Sequence, residues 1–205
     1  MGTFPLKTVV SYLDTQEACL QHGVKVDFVF TDCSLVTHGR TLLGNTFIGK
    51  RDFNRLFWID SDIVWSPLDF MKLVVHSLKY DCLVGIYPRR IEAGGYFVKF
   101  TNPGEDPNDD GLVEIDGTGL GFACIRREVM EKLAERVPKL RYFGSKNPVP
   151  ALFREDSADG QARGEDYAFW ADVKAMGFRI YADATIRLGH IGGKVYQCPD
   201  SPLRT

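Results

Sequence analysis

Residues 55–88 read RLFWIDSDIVWSPLDFMKLVVHSLKYDCLVGIYP, and the order of apolar and polar residues in this stretch decides the fold expected of the chain. RLFWI is an apolar run rich in aromatic and branched side chains, the composition of a buried strand. SPLDFMKLVVHSLKY then offers Ser66 as a helix N-cap, Pro67 at the first helical position and Asp69 in the first turn. DCLVGIYP is a second apolar strand. Upstream, VKVDFVF (24–30) alternates apolar and polar residues as a strand does, and Ser34 or Thr37 could cap a helix through GRTLLGNTFI (39–48). A helix of moderate amphipathicity is expected from Lys7 to His22, stopped by Gly23. Downstream, GYFVKF (95–100) reads as a strand, and LVEIDGTGLGFACIRREVMEKLAERV (112–137) runs from strand through glycines into a helix. GEDYAFWADVKAMG (164–177) is a helix ended by Gly177, and FRIYADATIRLGH (178–190) is a last strand. Strand and helix alternating at this spacing predict an α/β domain with a mixed, mostly parallel sheet and helices on both faces, whose ligands bind beyond the carboxyl ends of the strands.

At 205 residues and 44% hydrophobic, the chain is expected to form a single domain over residues 1–205. Its formal charge of −2, with both signs interspersed, provides no basic field of the kind that non-specific nucleic-acid binding uses. Cys19, Cys33, Cys82, Cys124 and Cys198 are odd in number and scattered, with no CxxC spacing, which points to a reducing, cytoplasmic setting rather than a disulfide framework or zinc site. No signal peptide is evident, and no run approaches the ~20 apolar residues of a membrane span. The acidic loop Asp106–Asp110 lacks EF-hand spacing and its closing Glu, and is expected to be a solvated loop.

The chemistry concentrates in a few places. Asp60 and Asp62 close an apolar strand, and two carboxylates there need a cation or strong donors. Two apart on a strand, they point to the same side, a geometry that suits Mg²⁺ or Mn²⁺. The plain alternative is that one caps a turn while the other faces solvent. His190, in RLGHIGG, could supply a nitrogen ligand or be an ordinary structural histidine. Glu165 and Asp166 open a helix, where its dipole favours ionised carboxylates, and one of them facing a cleft could act as a general base. The glycines of GTGLG, Gly119 and Gly121, form either a tight turn or the border of a sugar or acceptor site; they match neither a GxGxxG fingerprint nor a P-loop. Arg40, Arg89 and Arg90 could bind phosphate or sugar oxygens through forked hydrogen bonds.

Taken together, FWIDSDIVW, the upstream SLVTHGRTLL, LVGIYPRR, GTGLGFACIRREV and GEDYAFWADVKAMGFRIYADATIRLGHIGG resemble, in their order, the nucleotide-sugar-dependent glycosyltransferases of the GT-A fold, family-2-like members of phage and large-virus type. The resemblance spans Ser34 to Gly193. It implies a Rossmann-like nucleotide-diphospho-sugar transferase fold and a nucleoside-diphosphate-sugar donor, a UDP-sugar being favoured. It implies Asp62 as ligand to Mn²⁺ or Mg²⁺, Asp60 at the metal or the donor ribose, and His190 as a further ligand. Arg40, Arg89, Gly119 and Gly121 would border the donor. Asp166 would be the base toward a hydroxyl acceptor in an inverting displacement, with Glu165 beside it. A nucleic-acid acceptor is compatible with phage-type relatives but not favoured by the charge. Relatives begin with a strand that is not evident here before Thr3, so the sheet edge next to the base pocket is expected to be open. Two other functions share these features: a nucleotide-sugar-binding module without activity, and a nucleotidyltransferase, which usually carries a Gly-rich basic loop near its start.

Overall fold

The computed structural model describes residues 5–92, 94–142 and 146–197. Its first half runs α1 (Leu6–Gln21), α2 (Val36–Gly49), β1 (Arg55–Ile59), β2 (Ile63–Val64), α3 (Pro67–His76), β3 (Cys82–Gly85) and β4 (Val98–Phe100). The second runs β5 (Leu112–Thr118), β6 (Phe122–Arg126), α4 (Arg127–Arg136), β7 (Lys139–Leu140), β8 (Val149–Pro150), β9 (Asp156–Ala158), β10 (Gln161–Arg163), α5 (Glu165–Ala175), β11 (Ile180–Asp183), β12 (Gly189–Ile191) and β13 (Val195–Gln197).

The principal sheet has the order β1-β6-β3-β11-β5-β4. Its alternating side chains sort cleanly to two faces, as the two-residue period of a strand requires. Trp58, Cys82, Val84, Ala123 and Ile125 enter one core together with Phe47 of α2, Val129 of α4 and Phe169 of α5. Phe57, Leu83, Phe122 and Cys124 enter the other, with Cys19 of α1 and Phe70 of α3. Helices therefore cover both faces, as the apolar runs RLFWI and CLVG demanded.

The expectation of a mostly parallel, Rossmann-like sheet of the GT-A type is corrected. Among the described residues only β3 and β11 pair in parallel. β6 lies between β1 and β3, antiparallel to both. β5 is antiparallel to β11 and to β4. The unit β1–α3–β3 does carry two strands in the same direction, but β6, from later in the chain, separates them. A sequence shows that a helix joins two strands; it does not show which third strand takes the place between them.

Three local expectations also change. VKVDFVF joins no sheet among the described residues, although Val24, Val26 and Phe28 are half-buried and the residues between them exposed. FRIYADATIRLGH is two strands rather than one: β11 ends at Asp183, whose carboxylate accepts the Thr185 N–H (2.7 Å), and β12 belongs to a separate sheet, β13-β12-β2. The N-cap of α2 is Leu35, so neither Ser34 nor Thr37 caps it. α3 has the expected start, a capping box in which the Ser66 hydroxyl accepts the Asp69 N–H and the Asp69 carboxylate accepts the Ser66 N–H (3.0 Å).

α1 is built inside out, which explains its weak apolar periodicity. Thr8, Ser11, Thr15 and Cys19 are buried, while Leu6, Val10, Leu13 and Leu20 are exposed. The buried hydroxyls bond the strand beneath: Thr8 Oγ1 donates to the Ile63 carbonyl (3.0 Å), Ser11 Oγ donates to the Trp65 carbonyl (2.7 Å), and Trp65 Nε1 donates to Thr15 Oγ1 (2.8 Å). The absence of a first strand ahead of α1 is an expectation that falls on Met1–Phe4, which lie outside the described residues, as does Cys198.

Candidate active site

The acidic pair sits at the carboxyl end of β1. Asp60 follows its last residue and donates its N–H to the Gly121 carbonyl (3.0 Å), which ties the DSD turn to the turn between β5 and β6. From there the two carboxylates part. The side chain of Asp60 turns toward α2, and that of Asp62 toward β12.

Asp60 meets Arg40. The guanidinium Nη2 donates to Asp60 Oδ1 (2.9 Å) and Oδ2 (3.2 Å), and Nη1 donates to Glu165 Oε1 (3.2 Å) and to Asp166 Oδ1. Arg40 is buried, and one fork thus gathers three carboxylates from two elements. Burial favours its neutral form, but the charges of Asp60, Asp166 and Glu165 outweigh that and hold it cationic. One cation does not neutralise three acids. Asp166, at the first turn of α5, is pushed up to about 6, chiefly by burial and further by the charges of Glu165 and Asp60, against the opposing pull of Arg40. A carboxyl at this value is poised to exchange a proton near neutral pH.

Asp62 meets a different set. Its carboxylate is 2.7 Å from Arg90 Nη2 and 3.6 Å from His190 Nε2. Burial raises its carboxyl, but the hydrogen bond with His190 and the charge of Arg90 win, and Asp62 lies below the usual carboxylate range. His190 is brought there by the pairing of β12 with β2, in which it lies opposite Ile63, and by the bond from the Ile191 N–H to the Asp62 carbonyl (2.8 Å). His190 is buried, and its Nδ1 lies 2.8 Å from the Pro88 carbonyl. A carbonyl can only accept, so Nδ1 carries a proton and Nε2 is the ring nitrogen that faces Asp62, the ring orientation in which ligating histidines are usually locked.

Tyr87 closes the floor between the two groups, and no motif pointed to it. Its hydroxyl accepts the Gly121 N–H (3.3 Å), and its ring meets that of His190 edge-on with centroids 5.1 Å apart. Burial and the charges of Asp60 and Asp166 raise its phenol, which stays protonated. This explains the glycines of GTGLG. A Cβ at Gly119 would lie 1.9 Å from the Tyr87 hydroxyl, and one at Gly121 would lie 2.9 Å from its Cζ and 3.0 Å from Asp60 Oδ2. Both glycines admit close approach by a neighbour; neither needs a left-handed backbone. Closely spaced glycines beside an aromatic at a strand end were the available signal for Tyr87.

Arg89 is not brought to this cluster. Its guanidinium lies over the Phe97 ring (4.4 Å), and its N–H donates to the Gly95 carbonyl (2.9 Å). Of the two arginines after GIYP, Arg90 is the one that reaches an acidic residue of the pair.

For a divalent cation, Asp62 and the Nε2 of His190 provide one oxygen and one nitrogen donor side by side. Arg90 now provides the positive charge that Asp62 requires. Asp60 is held away by Arg40, and among the described residues no three His, Cys, Asp or Glu side chains are grouped so that they could hold a metal ion. The donor set therefore fits an ion that completes its shell with water and substrate phosphates, as Mg²⁺ commonly does. It does not fit a closed structural site.

Comparison with known proteins adds the fold alone. No family model matches the chain, and no curated protein matches it. Among solved structures it is similar to the crystal structure of A197 from STIV, at 23% sequence identity and a TM-score of 0.62, covering 100% of this chain and 87% of that one. At that identity the likeness establishes a shared mixed α/β architecture. Among the described residues no helix is long and apolar enough to cross a membrane.

Proposed function

We propose that the chain is a metal-dependent glycosyltransferase that moves a sugar from a nucleoside diphosphate, preferably UDP, to a hydroxyl acceptor with inversion. The observation that best supports this is the division of labour between Asp62 with His190 and Asp166 with Arg40, two acidic groups of opposite protonation behaviour on either side of Tyr87. The physical logic is that of sites where environment drives two carboxyls apart.

Asp62 and His190 Nε2 would hold Mn²⁺ or Mg²⁺, whose chemistry when bound is to neutralise a departing diphosphate. Arg90, freed from Asp62, lies beside the same oxygens and would bind donor phosphate. Asp166 takes the acceptor proton as the hydroxyl attacks, and Arg40 keeps it oriented. Asp60, anchored through both its N–H and its carboxylate, positions the donor ribose. The scattered cysteines, without a CxxC spacing, support a reducing, cytoplasmic setting for this reaction. The acceptor is a hydroxyl of unassigned class, with nucleic acid disfavoured by the charge of −2.

A second reading, sugar-nucleotide binding without transfer, draws on one feature: Arg40 engages Asp60 and Asp166 at once and so covers the base. A screen of UDP-, GDP- and TDP-sugars for metal-dependent hydrolysis, with calorimetric binding alongside, separates the two. Transfer predicts hydrolysis that both Asp62→Ala and Asp166→Asn abolish, with only Asp62→Ala weakening metal-dependent donor binding. Binding without hydrolysis supports the second reading, and no binding of any sugar nucleotide refutes both.

A further inference from the structure

One oxygen of Asp62 serves two partners. Oδ2 lies 2.7 Å from Arg90 Nη2 and 3.6 Å from His190 Nε2, so the carboxylate oxygen that faces the imidazole is also the one that the guanidinium holds. A guanidinium and a divalent cation on the same oxygen repel each other, and the repulsion is poorly screened in a part-buried site. Arg90 and a metal ion therefore compete for Asp62.

The loop that carries Arg90 is closed on itself. Pro88 bridges to Tyr96, and the Arg89 N–H donates to the Gly95 carbonyl (2.9 Å), with Gly94 and Gly95 in the left-handed region that this return of the chain requires. Glu92 of the loop pairs with Lys194 in the turn after β12 (2.7 Å). The Arg90 side chain is less confined. It is 49% exposed, and its stem runs over Gly192 of that turn, where a Cβ would lie 3.0 Å from Arg90 Cδ. The bare backbone at Gly192 leaves a track for the stem, and the guanidinium can leave Asp62 by rotation about its own χ angles while the loop backbone stays in place. A guanidinium displaced by a divalent ion needs a new counter-charge. A diphosphate supplies it: its oxygens accept forked hydrogen bonds from arginine, and they also complete the shell of an ion that Asp62 and His190 only partly surround.

We propose that Arg90 is a tethered cation that holds the metal position on Asp62 until a diphosphate draws it off, so that metal and nucleoside diphosphate bind as a coupled pair rather than independently. This rests on the reading of Asp62 and His190 as the metal-holding pair and adds a regulation to it. Either ligand alone must separate Arg90 from Asp62; the two together need that separation only once. By linkage, each then raises the affinity for the other by the same factor. The Asp62 carboxylate stays compensated while no donor is present, and the metal is reserved for the loaded site.

The test measures binding of Mn²⁺ alone, UDP alone, and each in the presence of the other, in the wild type, Arg90→Gln and Arg90→Lys. Free Mn²⁺ is followed by its electron paramagnetic resonance signal and UDP by calorimetry. Arg90→Gln is expected to bind Mn²⁺ alone about fivefold or more tightly than the wild type, and the factor by which UDP tightens Mn²⁺ binding is expected to fall by a similar amount. Arg90→Lys, which keeps the charge, is expected to stay close to the wild type in both. A purely structural role for Arg90 predicts the opposite sign, weaker Mn²⁺ binding in Arg90→Gln. Mn²⁺ affinity that is unchanged or lower in Arg90→Gln overturns the proposal, and so does a Lys variant that behaves like the Gln variant. Asp62→Ala separates this failure from that of the metal reading. If Asp62→Ala abolishes Mn²⁺ binding that Arg90→Gln leaves unchanged, only the role of Arg90 is lost; if the wild type and Arg90→Gln both fail to bind Mn²⁺, the metal reading falls with it.

Discussion

Replacing Arg40 by Met tests the electrostatic account of the site most directly. The substitution keeps an unbranched apolar stem in α2 and removes the fork that Asp60, Glu165 and Asp166 share. Breaking a buried ion pair by removing one partner costs ~3–5 kcal/mol. The Asp60 side chain is 40% exposed, so water rescreens it and its share falls to that of a surface pair, ~1 kcal/mol or less. Glu165 and Asp166 side chains are 20% and 23% exposed and carry most of the loss. We expect a destabilisation of roughly 2–4 kcal/mol at pH 8. The penalty depends on pH in a definite sense. Asp166 already titrates at about 6 in the native protein, and losing Arg40 raises it further. A carboxyl whose folded pKa exceeds its unfolded value of 3.8 subtracts stability as pH rises through that interval. At pH 5 the carboxyl is largely protonated in either protein, and the variant should recover a large part of its deficit. Urea denaturation followed by circular dichroism at pH 5 and pH 8, with the denaturant slope checked for constancy, measures both values. A deficit under ~1 kcal/mol at pH 8 refutes the account, as does one of equal size at the two pH values.

Three further outcomes are expected. Gly119→Ala should displace the Tyr87 ring, with a loss of ~1–3 kcal/mol and a changed near-ultraviolet circular dichroism spectrum; combining it with Tyr87→Phe, which removes the closest atom, should recover part of that loss, and strict additivity would count against the contact. If Asp166 is the base, kcat/KM for transfer should rise with pH through about 6 as its carboxyl ionises, and a profile flat from pH 5 to 8 would exclude it. Ser66→Ala, which deletes the capping hydroxyl of α3, should lower stability by ~1 kcal/mol, and an unchanged urea midpoint would contradict the cap.

Much of the site was legible before any coordinate, because its chemistry is concentrated in short segments. DSD at the end of an apolar strand, ED at a helix start and GHIGG after a late strand each announce an unusual charge or backbone demand. The structure brings Asp60, Glu165 and Asp166 onto Arg40, and His190 onto Asp62. Tyr87 was not legible, and two neighbouring arginines could not be told apart. Tyr87 carries no motif and acts through glycines more than thirty positions away. Arg89 and Arg90 lie in the same dipeptide, and only the course of the chain after Pro88 determines which guanidinium turns toward Asp62.

Local interactions account for what the sequence by itself determined: the existence and approximate limits of α1, α2, α3 and α5, the capping box at Ser66, the glycine stops, and the two-faced burial of β1 and β3. These depend on the period of side chains along one element and on bonds within a few residues. Tertiary structure alone decided the placement of β6 between β1 and β3, which makes the sheet mostly antiparallel, and the division of FRIYADATIRLGH between two sheets. It also decided that the polar face of α1 turns inward and that VKVDFVF joins no sheet among the described residues. Strand order, and the inversion of a helix whose buried hydroxyls find carbonyls more than fifty residues away, depend on contacts between segments distant in sequence, and no local period records which partners those will be.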